Sequence, residues 1–228
     1  MPDSPIKETR TTRRHAESFR SLVRSGLAVI AQRGLYETTV EHITEAADLG
    51  KGTFYAHFSS KEDLVRHLLQ DGFDELIAAN QGLDASEAHP AERLAALLRA
   101  QFAVLARRRD LIILLHQVRG LLIIEPRARQ ALRQEYQRYV DFLAEACRRA
   151  LDRPQLGPAE ARDLACAVAG FVAGTLSFEM LIRRTRVRPA ALAGPIHAFA
   201  AGLAARYVDG HPPPAGAPGQ GRRPKTRR

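Results

Sequence analysis

Only two cysteines, Cys147 and Cys166, occur in 228 residues, with no C-x-x-C and no Cys/His cluster. A disulfide scaffold and a thiolate zinc site are excluded, so the fold must rest on burial. Apolar runs such as Leu111 to Leu115 fall far short of the roughly 18 residues that cross a bilayer, and no membrane partner is expected. The polar, basic stretch from Met1 to His15 leads into no apolar signal core, which makes the cytoplasm the expected compartment. Alternating β-branched runs are missing, and proline and glycine are nearly absent from the longer segments. The expected fold is therefore all-α, without strands. Acidic residues are missing from 210–228, where Arg222, Arg223, Lys225, Arg227 and Arg228 supply five of the nine net positive charges. A basic balance concentrated in a Pro/Gly-rich end is weak evidence for nucleic acid, because a solvated tail gives the same total.

What is present is helical periodicity at globular composition, with 45% hydrophobic and 26% charged residues. A first helix is expected from about Thr12 to Arg33, stopped by Gly34, and a long one from Ser59 to near Gly82. Further helices are placed at about 91–107, 110–119, 126–151, 158–184 and 189–208. The division that follows is a flexible basic arm at 1–11, a DNA-binding unit at 12–65, a helical effector-binding and dimerisation unit at 66–208, and a disordered tail at 209–228.

The stretch from Thr38 to Lys61 holds three helix starts in succession. Thr38 with Glu41 reads as a capping box, a break follows at Asp48-Leu49-Gly50, and Ser59 with Glu62 reads as another box. Two short helices three or four residues apart describe a helix-turn-helix, whose second helix enters a major groove. Phe54 and Phe58 would anchor that helix, turning Lys51, Gly52, Thr53, Tyr55 and His57 outward. Lysine serves a phosphate or guanine edge, glycine allows close backbone approach, and the hydroxyls donate to phosphate oxygens. Lys61 stands in a helix's first turn, where the dipole disfavours a cation, so a bound DNA phosphate is the expected remedy.

These residues resemble the tetracycline-repressor (TetR) family of bacterial transcription regulators. The resemblance covers roughly Phe19 to Leu68, through Arg33 to Val40, Ile43 with Ala46 and Ala47, Gly52 to Phe58, and Ser60 to Leu64. It implies DNA contacts at Thr38, Thr39, Lys51, Thr53, Tyr55, His57 and Lys61, a homodimer, and a C-terminal helical domain that binds a small effector. Two departures from the family pattern are Asp48 in the turn, where glycine is usual, and Gly50 at the cap, where Ser or Thr is usual. Asp tolerates a left-handed backbone and Gly is an acceptable N-cap, so the turn should survive.

In the second half, polar groups among apolar helices mark an effector pocket at His116, Arg119, Tyr136, Tyr139, Phe178, Glu179 and Arg183. The small residues Ala165, Ala169, Gly170, Ala173 and Gly174 and an Ala-rich last helix point to a dimer built from about 158–208. The expected function is a ligand-responsive repressor that binds double-stranded DNA at a pseudo-palindromic operator and is released by an unidentified small molecule. A constitutive DNA-binding protein is one alternative, and an enzyme built on His116 or a cysteine is another. No catalytic motif, metal-ligand spacing or cofactor motif supports the enzyme.

Overall fold

The computed structural model describes residues 10–81, 88–124, 129–184, 187 and 189–208, with side chains of 121–124, Arg129 and Pro189 left aside. Among them every regular element is helical: α1 (Arg10–Arg33), α2 (Val40–Ala47), α3 (Lys51–His57), α4 (Lys61–Ala78), α5 (Pro90–Arg107), α6 (Arg109–Ile124), α7 (Arg129–Leu151), α8 (Pro158–Ser177) and α9 (Ala193–Tyr207). A π-helical turn, Phe178–Ile182, continues α8, and a 3-10 turn, Pro189–Leu192, leads into α9. Arg10 and Thr11, expected in a flexible arm, begin α1 instead. The rest of the expected arm and the tail at 209–228 lie outside the described residues.

Apolar spacing explains the three-helix head. Leu22, Ile30, Ile43, Phe54 and Leu64 are fully buried where α1 to α4 meet. Gly34 closes α1 at φ +89, a left-handed value that a side chain would resist. Asp48, with φ 54, takes the same left-handed role in the helix-turn-helix turn, and Gly50 is the N-cap of α3. Both departures from the family pattern are thus accommodated by backbone geometry.

The cap registers differ from expectation. Thr39, not Thr38, is the N-cap of α2, and its box partner is His42 rather than Glu41. Thr38 is occupied elsewhere, because its hydroxyl donates to the Gly34 carbonyl at 2.7 Å. Ser60, not Ser59, caps α4, accepting from the Asp63 N–H, while Ser59 donates to the Asp63 carboxylate. Adjacent Thr-Thr and Ser-Ser pairs let either residue cap, and tertiary contacts choose between them.

α4 spans the expected boundary at residue 65. A Cβ at Gly26 would come 2.6 Å from Leu64 on the head side, and one at Gly72 would come 2.5 Å from Leu111 of α6. Gly72→Val therefore overpacks the α4–α6 seam, with an expected loss of about 1–3 kcal/mol in urea unfolding. Unchanged stability would mean that Leu111 moves aside freely. The second half packs α5, α7, α8 and α9 around Leu94, Leu98, Leu143, Leu164 and Leu176, all fully buried. Pro158–Ile182 is, by length and composition, long and apolar enough to cross a membrane, contrary to expectation. Its apolarity is spread over alanines and glycines and broken by Thr175 and Ser177, so no single unbroken run reveals it.

Candidate nucleic-acid interface and effector cavity

α3 has only seven residues, yet it separates two faces. Phe54 is fully buried and Phe58 is 4% exposed, while Tyr55 is 58% exposed and Lys51, Gly52 and Ala56 also face outward. Thr53 is half-buried beside an open groove that it lines with Arg14, Ser18 and Ser21 of α1. Thr39 is exposed at the start of α2. Tyr36, in the turn between α1 and α2, is 57% exposed and adds a second surface phenol that helical spacing did not single out. Only its exposure distinguishes it, and a residue in a turn carries no face assignment in its sequence.

Lys51 forms an ion pair with Glu41 of α2. That pairing lowers the Glu41 carboxyl to about 2, with the Lys51 hydrogen bond as the main cause. Both side chains are exposed, so the pair holds α2 to α3 weakly and an incoming phosphate can compete for the ammonium.

Three of the expected contacts point elsewhere. Thr38 is 1% exposed and its hydroxyl is spent within the α1–α2 turn, so it presents nothing to a duplex. The His57 ring lies against His15 of α1, centroids 4.1 Å apart, with Nε2 and the Ser18 hydroxyl 2.8 Å apart. Burial first, then His15, depresses its basicity, so it ties α1 to α3 rather than offering charge. Lys61 donates from Nζ to the Leu35 carbonyl at 2.9 Å and the Thr38 carbonyl at 2.8 Å. These two backbone carbonyls hold the ammonium at the start of α4.

The second half contains a cavity of about 310 Å³ between α4, α5, α6, α7 and α8, within the size range of small-molecule sites. Apolar groups of Phe73, Leu105, Leu115, Val140 and Val172 dominate its wall. Of the seven expected effector residues, Arg119, Tyr136 and Tyr139 line it. Tyr139 is committed, stacking on Phe73 at 4.7 Å and donating to the Gln101 side-chain oxygen at 2.6 Å. The Tyr136 hydroxyl makes only a long bond, 3.3 Å, to the Leu115 carbonyl, and burial pushes the phenol up to about 12. His116 is hydrogen-bonded to Ser177 outside the cavity wall, its basicity lowered by burial and then by Arg119. Phe178 is 65% exposed, and Glu179 pairs with Arg183 at 2.8 Å away from the cavity. Phe178 still donates its N–H to the Gly174 carbonyl as in an α-helix, and the π-helical turn begins only there. Cys166 lines the cavity and is exposed, whereas Cys147 is buried and its thiol is pushed up to about 12 by desolvation. Among the described residues no group of three His, Cys, Asp or Glu side chains could hold a metal ion.

A hydrogen bond also joins the two regions, beside the packing of α1 and α4 on α6. Gln117, two positions from Leu115 on α6, accepts from the Leu35 N–H at 2.5 Å, and the Leu35 carbonyl is the one that Lys61 holds.

Residues 22–68 match the sequence model described as bacterial regulatory proteins, tetR family. The HTH-type transcriptional repressor KstR2 of Mycobacterium tuberculosis is 31% identical over 138 residues, 59% of this chain and 69% of that protein. The fatty acid metabolism regulator protein of Bacillus subtilis is 26% identical over 95 residues, 42% of this chain and 49% of its own. Among solved structures, the fatty acid degradation regulator FadR of Bacillus halodurans superposes with a TM-score of 0.68 at 19% identity, over 89% of this chain and 97% of that one. FadR of Bacillus subtilis, solved in complex with stearoyl-CoA, gives 0.64 at 19% identity, over 80% and 97%. With its helix-turn-helix head, its helical second half and a repressor relative aligned over more than two thirds of that relative's length, this chain belongs to the tetR family of DNA-binding transcriptional regulators.

Proposed function

We propose that the protein is a homodimeric repressor that reads a pseudo-palindromic operator with α3 and is released when a small molecule enters the cavity of the second half. The observation that carries this reading is the division of α3, whose aromatic anchors are buried while Tyr55 stands 58% exposed between Lys51 and the groove at Thr53. Lys51, Gly52, Thr53, Tyr55 and Thr39 are the proposed DNA contacts. Thr38, His57 and Lys61 support them from behind.

The proposed dimer face is the outward side of α8 and α9. Ala167, Gly170 and Gly174 on α8, and Gly194, Ala198 and Gly202 on α9, are exposed small residues at helical spacing. Such positions allow two copies of a helix pair to approach closely. Residues 12–65 and 66–208 remain the proposed DNA-binding and sensor units, with α4 passing through both.

α6 carries a cavity wall at Leu115 and the Gln117 bond to Leu35, so a shift of α6 by an occupant would reach the seat of α2. This favours an effector-controlled protein over a constitutive DNA binder. Thermodynamic reciprocity then requires operator DNA to weaken effector binding by the same factor, commonly about 5–150-fold.

Selection of sites from a random duplex library at about 150 mM salt, where phosphate-only binding is suppressed, tests the reading. The expected outcome is an enriched pseudo-palindrome with half-sites about 34–36 Å apart or a multiple of that spacing. An absence of enrichment, or an enriched sequence without two-fold symmetry, would overturn it.

A further inference from the structure

The charge of the helix-turn-helix is opposite to what a phosphate-gripping motif needs. From Val40 to His57 three carboxylates, Glu41, Glu45 and Asp48, stand against one ammonium, that of Lys51. Duplex DNA carries a negative charge about every 1.7 Å of its axis, so such a stretch gains little from backbone attraction. The one ammonium is also engaged already. Lys51, the first residue of α3, pairs with Glu41 in the first turn of α2. This hydrogen bond is the main cause that holds the Glu41 carboxyl at about 2 and raises the Lys51 ammonium, so both ends stay charged at neutral pH. Glu45, one turn further along α2, acts on the ammonium through its charge. An ammonium has three donors, and one bond to Glu41 leaves two. A phosphate that approaches those donors meets the carboxylate as well, and one that takes the ammonium away leaves Glu41 bare beside the DNA backbone. Guanine N7 and O6 are acceptors without net charge, and they can share the ammonium with Glu41.

We propose that Glu41 is a positioning residue that turns Lys51 from a phosphate contact into a reader of guanine. Each operator half-site then carries one G·C pair whose N7 and O6 accept from Lys51 Nζ, while the third N–H stays on Glu41. This rests on the reading of α3 as the helix that contacts the operator. The Lys51 and Glu41 side chains are 56% and 48% exposed, so the pair stands on the open surface of the motif rather than inside the fold. The capping box of α2 is formed by Thr39 and His42, so Glu41 can be exchanged without removing it.

Affinities of the full-length chain for the operator selected from the random library, for its single-base variants and for random duplex, all at about 150 mM salt, test this. One symmetric position in each half-site should prefer guanine by about fivefold or more, as a lysine–guanine contact gives. Lys51→Met should abolish that preference and leave the preferences at other positions in place. Glu41→Ala should cut it by about threefold or more and raise affinity for random duplex by a similar factor, because two carboxylates of the dimer leave the field of the phosphates. Glu45→Ala removes the same charge from the same helix but spares the bond to Lys51. It should raise random-duplex affinity and keep the guanine preference. A guanine preference that survives Lys51→Met or Glu41→Ala, or that falls equally in Glu45→Ala, would overturn the proposal. So would a loss of affinity in Lys51→Met spread evenly over all base variants, the signature of a phosphate contact. A wild-type chain that enriches no operator fails the reading of α3 itself, and the proposal with it. An operator without a Lys51-dependent guanine fails the proposal alone.

Discussion

Tyr55→Ala is expected to lower operator affinity by roughly 10²- to 10⁴-fold, because a hydrogen bond to a charged phosphate contributes about 1.5–3 kcal/mol and a symmetric dimer loses it twice. The urea midpoint should not move, since the Tyr55 side chain stands in solvent and the helix is anchored by Phe54 and Phe58. Lys61→Met should behave in the opposite sense. It keeps the aliphatic stem but removes the ammonium from the Leu35 and Thr38 carbonyls, which should cost about 1–3 kcal/mol of stability. Intrinsic affinity, measured where the variant is still folded, should fall only as far as the loosened α1–α2 turn displaces α2. Fluorescence anisotropy with labelled operator and urea unfolding monitored by circular dichroism provide the two readouts. A Lys61→Met protein of normal stability that no longer binds operator would return Lys61 to the DNA interface. A destabilised Tyr55→Ala protein would remove Tyr55 from it.

The contrast between these two residues shows what the sequence makes legible. Helical spacing separated Phe54 and Phe58 from Tyr55, because alternation between core and solvent within one helix is a local property. The fate of Lys61 is not local. Its acceptors lie 26 and 23 residues away, in a turn whose position depends on how α1, α2 and α4 pack. The same holds for Thr38, His57 and the choice of cap within Thr38-Thr39 and Ser59-Ser60, where two chemically equivalent candidates compete and a tertiary contact decides. Asp48 and Gly50 were readable because backbone conformation at a turn is set by the residue itself.

In the second half the helices are legible and the cavity is only partly so. Arg119, Tyr136 and Tyr139 sit on α6 and α7 at places where polar groups interrupt apolar stretches, and they do converge. His116, Phe178, Glu179 and Arg183 have the same appearance in sequence but not the same destination. His116 bonds to Ser177, Phe178 stands in solvent and Glu179 pairs with Arg183, destinations that helical spacing alone does not specify. α6 runs on past the expected end at residue 119 to Ile124, since Gly120 is tolerated within a helix whose other residues favour burial. Gln101, which orients Tyr139 and donates to the Leu76 carbonyl at 3.0 Å, reads as a surface residue in sequence and is fully buried.

Gly174→Arg tests the assembly more sharply than any core substitution can. A Cβ at Gly174 meets nothing within 4 Å in the protomer, and the residue is exposed on α8. Exchanging glycine for arginine within a helix is by itself favourable by roughly 0.8 kcal/mol, so an isolated protomer should fold at least as well as before. If instead a second copy lies against this face, the side chain must enter a close helix–helix contact and bring an unpaired charge with it, one from each copy across the two-fold axis. Sedimentation equilibrium should then give the mass of one 25.2 kDa chain rather than two, with the helical circular dichroism signal retained. Operator affinity should fall by roughly 10²- to 10⁴-fold, because each head then binds its half-site without the effective concentration that linkage to its partner provides. Gln137→Arg, which adds the same charge at an exposed position on α7, should change neither mass nor affinity. Dimers that persist in Gly174→Arg would exclude this face as the interface. A monomer that still bound the full operator with undiminished affinity would show that the two half-sites are read independently, and the apolar outer faces of α8 and α9 would then need a partner other than a second copy.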